Sequence, residues 1–273
     1  MALNHTHNAR LLRTETAAGA GVQILLLTLL GASLDLGTAG WLTGLAFAAV
    51  TWAVLTRAVS RSWLSSFGAA NRVTLARATL VGGVTALVAD SFTSPPRVAV
   101  LTALTAVALI LDGVDGQVAR RTGTSSPLGA RFDMEVDAVL ILVLSVYVAT
   151  ALGPWVLLIG AMRYAFVAAA RFLPWMNAPL PHSMARKTVA ALQGVALLVA
   201  ATGLLPAPAN LAVVLLALTS LIWSFARDIG WLWSTARAEA RTVPARPVAR
   251  VTHLAARPVP RVIHDDPVPA RSA

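Results

Sequence analysis

The sequence predicts an all-α integral membrane protein. Of its 273 residues, 57% are hydrophobic and only 12% charged, with a mean hydropathy of +0.70, beyond what an ordinary soluble domain carries. Its apolar stretches approach the length needed to cross a hydrocarbon core of about 30 Å. Its arginines gather in alternate connections between those stretches, as the positive-inside bias requires. Cysteine is absent, which excludes a disulfide framework, a thiolate nucleophile and a zinc-thiolate site.

Taken in order, a polar segment over 1–18 precedes apolar stretches at 19–36, 40–59, 73–90, 97–115, 134–152, 154–173, 188–205 and 210–230, which predict eight helices. The first is read as a retained helix, because a second apolar stretch comes at once and no convincing cleavage site separates them. Short turns at 35–40, Ser94-Pro95-Pro96, Gly153-Pro154 and Leu205-Pro206-Ala207-Pro208 punctuate one side and carry almost no arginine. The other connections hold Arg57 and Arg61; Arg120, Arg121 and Arg131; Arg171, Arg186 and Lys187; and Arg227 with the arginine-rich C-terminal segment. These ends and both termini are therefore expected in the cytoplasm. From 234 to 273 the composition turns to Arg, Pro, Ala and Val, which predicts a disordered basic tail, either held against anionic lipid or simply solvated. The formal charge of +10 and pI of 11.6 reflect topology and tail, and no motif of a nucleic-acid binder accompanies them. The tryptophans cluster near predicted helix ends, as interfacial anchors do.

Within this greasy chain lie Asp112, Asp115, Asp133 and Asp137. An aspartate near the hydrocarbon core costs about 2.5–3.5 kcal/mol on insertion scales, so four at regular spacing are functional candidates. Asp112 and Asp115 are three apart and Asp133 and Asp137 four apart, so each pair projects from one face of a helix. Ser126-Pro127 predicts the start of the second helix, which makes the two helices antiparallel neighbours with their acids at one end. Four converging carboxylates cannot all ionise without cations, and hard divalent ions with oxygen ligands, Mg²⁺ or Mn²⁺, are the simplest partners. Gly116, Ala119 and Gly129 leave a shallow floor for a bulky diphosphate, and Arg120 beside them suits a phosphate contact. Asn71, Thr74 and Arg77 recur at helical spacing upstream, on a face that can reach the same pocket. Glu135 is about 160° away around an ideal helix and is left outside the site.

The pattern D-x2-D-G-x2-A-R-x8-G-x3-D-x3-D over Asp112 to Asp137 resembles the signature of the CDP-alcohol phosphotransferase (phosphatidyltransferase) family at every fixed position. Asn71-x2-Thr74-x2-Arg77 is similar to the element that opens the first core helix in that family. The resemblance implies a six-helix catalytic core over 63–233, preceded by two extra transmembrane helices over 19–62. It implies transfer of a phosphatidyl group from CDP-diacylglycerol, or a related transfer from another CDP-alcohol, to a polar alcohol acceptor, with release of CMP and with membrane lipids as further partners. Carried over by position, it makes Asp112, Asp115, Asp133 and Asp137 ligands of two metal ions and Asp137 also the general base. Asn71, Thr74, Asp112, Gly116, Ala119, Arg120 and Gly129 would then hold the CDP moiety. A homodimer and a bacterial inner-membrane location are further expectations of the resemblance.

The acceptor is read from Arg163, Arg171, Arg186 and Lys187. Arg163 and Arg171 lie eight apart on one helix face, similar to an arginine pair of phosphatidylglycerolphosphate synthases, and Lys187 with Gln193 loosely resembles elements of the same branch. Tyr164 stands where that branch has glutamate, and a second lysine-threonine pair is missing. An anionic acceptor such as glycerol 3-phosphate or an inositol phosphate is one reading of these cations; in the other, Arg171, Arg186 and Lys187 only set topology. Asp228 beside Arg227 reads as a helix-end ion pair. A cation- or proton-coupled transporter is the alternative use of intramembrane aspartates, but the chain shows no internal repeat of the kind many transporters carry.

Overall fold

A computed structural model describes residues 2–61, 69–122, 127–181 and 183–242, with side chains described for 17–58, 71–114, 129–181, 183–239 and 241. Among the described residues there are eight α-helices and no strand: α1 (Ala2–Leu34), α2 (Thr38–Arg61), α3 (Ala69–Asp90), α4 (Val98–Thr122), α5 (Pro127–Leu152), α6 (Leu157–Phe172), α7 (Met184–Thr202) and α8 (Ala207–Thr242). Seven contain a span long and apolar enough to cross a membrane, and α4 carries a shorter apolar portion over Val98–Val114. The chain is an all-α membrane protein, as its composition predicts.

The helices outrun the apolar stretches that announce them. α4 continues through Thr122, so Asp112, Asp115 and Arg120 all lie within one helix, and α5 begins at Pro127, so Asp133 and Asp137 lie on it together. α8 runs to Thr242, past the position where the composition turns; residues 243–273 of the expected tail lie outside the described part. The reason is that hydropathy marks the membrane, whereas helix propagation depends on the backbone. Ala, Arg and Glu, which fill 236–241, are good helix formers in water.

α3 is the centre of the bundle. Two-thirds of its apolar span, 67%, lies inside the molecule, against 22% for the spans of α1 and α2. It packs against α1 and α2 on one side and α4 and α5 on the other; α7 fills the angle between α4 and α5, with α8 behind it and α6 beside α5. Val81, Val84, Leu101, Leu140, Leu144, Leu197 and Val214 form the shared core. Close approach depends on small residues, as in other membrane helix pairs. A Cβ on Gly160 of α6 would fall 2.5 Å from the Leu142 Cα and the Ser145 Oγ of α5.

Polar groups inside the bundle are spent on helix contacts. Gln193 of α7 donates from Nε2 to the Ala217 carbonyl of α8 at 3.0 Å and to the Ser220 Oγ at 3.3 Å. At the end of α3, buried Asp90 accepts the Gly37 backbone N–H at 2.8 Å, where α2 begins. A carboxylate at a helix N-terminus is stabilised by the helix dipole. Gly37 fits because a Cβ there would come within 2.8 Å of that carboxylate oxygen.

Candidate active site

Where α3 and α5 begin and α4 ends, three helices bring their polar residues together. Asn71, Thr74 and Arg77 come at three-residue spacing along α3, and all three side chains are buried. Such groups are inserted into an apolar bundle only if they find partners. Arg77, 1% exposed, finds them in the acids of the neighbouring helices. Its Nη1 lies 2.9 Å from Asp112 Oδ1 of α4 and donates to Asp133 Oδ1 of α5, while its Nη2 donates to Asp137 Oδ1 one turn further along α5.

Asp112, Asp133 and Asp137 thus converge as the spacing predicts. Each offers a carboxylate oxygen, and the three oxygens lie within 4.8 Å of one another. The acids are half-buried. Three carboxylates outnumber one guanidinium, so the cluster keeps an excess of negative charge. Its donors are hard oxygens at a spacing that one divalent ion can span, and the residues therefore fit Mg²⁺ or Mn²⁺. Asp115, Gly116, Ala119 and Arg120 lie on α4, but their side chains fall outside those described. Gly129 sits in the first turn of α5, on the same helix as Asp133 and Asp137.

Of the four cations expected at the acceptor end, Arg163 and Arg186 are drawn into other pairs. Arg163 of α6 donates from Nη2 to Glu135, whose position on α5 turns it away from Asp133 and Asp137. Arg186, in the first turn of α7, donates to the Pro181 carbonyl at 2.6 Å and lies 3.4 Å from Asp228 of α8. Asp228 also accepts from Arg227 at 3.2 Å, and Arg227 donates to Ser183, the residue that caps α7. Asp228 therefore pairs with Arg227, as the sequence suggests, but it lies inside α8 and not at its end, and it serves two arginines. Arg171, in the last turn of α6, and Lys187 are exposed.

Two partnerships are not legible in the residue pattern. Spacing gives Arg77 only as a group able to reach the pocket, and Glu135 only as a residue outside it. A signal for Arg77 is present all the same: among Asn71, Thr74 and Arg77, the single cation lies furthest into the helix and faces acids on both neighbours.

The family model of CDP-alcohol phosphatidyltransferase matches residues 67–225, which takes in α3 to α7, about the first half of α8, and every residue of the carboxylate cluster. Neither a curated protein nor a solved structure matches the chain significantly. With more than half of its length matched and the acids of the motif converging in space, the chain belongs to the CDP-alcohol phosphatidyltransferase family.

Proposed function

We propose that this protein transfers the phosphatidyl group of CDP-diacylglycerol, or of a related CDP-alcohol, to a polar alcohol and releases CMP. Membership of the family makes it a transferase of phosphate-containing groups that draws on a CDP-alcohol in phospholipid synthesis. The observation that carries the finer reading is the meeting of Asp112, Asp133 and Asp137 at one end of the bundle, with Asn71 and Thr74 on the same helix as the arginine that binds them.

In this reading Asp112, Asp115, Asp133 and Asp137 would hold two divalent ions, Mg²⁺ or Mn²⁺, which when bound would offset the charge of the diphosphate and of the departing CMP. Asn71, Thr74, Gly116, Ala119, Arg120 and Gly129 would seat the CDP moiety. Asp137 takes the proton of the acceptor hydroxyl. The acceptor oxygen then forms a bond to the phosphorus that carries diacylglycerol, and the bond from that phosphorus to the bridging oxygen breaks. CMP leaves with the bridging oxygen, so one phosphodiester replaces the diphosphate.

The acceptor we favour is a polyol phosphate, on the strength of Arg163, Arg171, Arg186 and Lys187. Arg163 and Arg186 have acidic partners that an anionic acceptor would have to displace or share. The arginine bias supports a cytoplasmic site in a bacterial inner membrane, and the family resemblance supports a homodimer.

A CMP-release assay tests the reading. Purified protein is given CDP-diacylglycerol, Mn²⁺ or Mg²⁺, and in turn glycerol 3-phosphate, inositol phosphate, inositol, serine and phosphatidylglycerol. CMP release with one acceptor, abolished by chelation and by Asp137→Asn, is the expected result. No release above that variant with any acceptor would remove the enzyme reading.

A further inference from the structure

Arg77 stands out among the described charged groups because it is wholly inside and yet touches three half-buried acids at once. Its Nη atoms contact one oxygen each of Asp112, Asp133 and Asp137, the same three residues whose oxygens lie within 4.8 Å of one another. Any divalent ion taken up by those residues must share their charge with a guanidinium that cannot withdraw to solvent. Arginine does not lose its proton in proteins, so its charge is constant at every working pH.

We propose that Arg77 is a fixed counter-cation of the carboxylate site, a positioning residue that holds the three acids together and sets an upper limit on how tightly they bind divalent ions. The inference rests on the reading of these acids as ion ligands. Coulomb's law at a few ångströms in a partly desolvated site has two consequences. Without the guanidinium, three acids attract a divalent ion more strongly. They also repel one another more strongly whenever that ion is withheld.

Arg77→Met keeps most of the length and apolar bulk of the side chain and removes the charge; Arg77→Lys keeps the charge and loses the fork. Mn²⁺ binding to purified protein is monitored by electron paramagnetic resonance, and thermal unfolding is measured in detergent with Mn²⁺ and with chelator. Arg77→Met is expected to bind Mn²⁺ at least tenfold more tightly than the unsubstituted protein and to gain more thermal stability from it. Arg77→Lys should stay within about threefold of the unsubstituted affinity. Equal or weaker binding by Arg77→Met, or equally tightened binding by Arg77→Lys, overturns the proposal. So does an Arg77→Met chain that fails to fold even when made and kept in Mn²⁺, since the ion should then take over the neutralisation. Absence of Mn²⁺ binding by the unsubstituted protein would instead remove the ion-ligand reading on which the proposal stands.

Discussion

Asp133 and Glu135 stand two residues apart on α5 and belong to different parts of the molecule. Asp133 meets Arg77 inside the bundle, while Glu135 meets Arg163 at a more open surface. Exposed ion pairs contribute about 0–1 kcal/mol, whereas the acids around Arg77 are the candidate chemistry. Asp112→Ala and Asp133→Ala should therefore abolish CMP release while leaving a folded protein; near-normal turnover would remove both from the ligand set. Glu135→Gln should keep most of its turnover with the best acceptor, and a loss as deep as that of Asp133→Ala would show that the Arg163 pair belongs to the site after all. The acids are legible in the sequence because their spacing is local, and one helix period suffices to align them. The partners of Arg77 and Arg163 are not, because a pairing across 56 or 28 residues depends on which helices become neighbours.

At the scale of elements, the eight helices and their breaks can be read from apolar length and from Pro and Gly in the turns, and the start of α5 from Ser126-Pro127, but apolar length alone does not give the helix ends. Hydropathy stops where water begins, and α4, α5 and α8 continue beyond that point. The start of α5 matters most, since beginning at Pro127, as Ser126-Pro127 predicts, it puts Asp133 on the helix one turn from Asp137. The contact of α5 with α6 depends on Gly160, which has no room for a side chain against the Leu142 backbone. Gly160→Val should force the two helices apart. Overpacking of this kind costs about 1–3 kcal/mol, and each kcal/mol shifts the midpoint by roughly 2–4 °C in a domain of 150–250 residues. Thermal unfolding in detergent should show a fall of several degrees, and an unchanged midpoint would mean that the interface relaxes at no cost.

For the whole molecule, the arginine distribution predicts a single orientation. A fluorescent protein fused after residue 273 should fluoresce, and alkaline phosphatase fused there should be inactive. The opposite pair of results would put the carboxylates on the outer side. The two helices ahead of the family match, α1 and α2, add no residue to the carboxylate cluster among the described residues, but they cover one flank of α3. They also supply, through Gly37, the backbone N–H that Asp90 accepts. Asp90 lies 13 residues beyond Arg77, about 20 Å along the helix axis at 1.5 Å per residue. α3 is thus tethered near one end to α4 and α5 through Arg77 and at the other to the start of α2 through Asp90. Attachments at two points so far apart oppose both sliding along the axis and turning about it. The added helix pair therefore helps to keep α3, and with it Arg77, in register, through a contact at the far end of the helix from the acids.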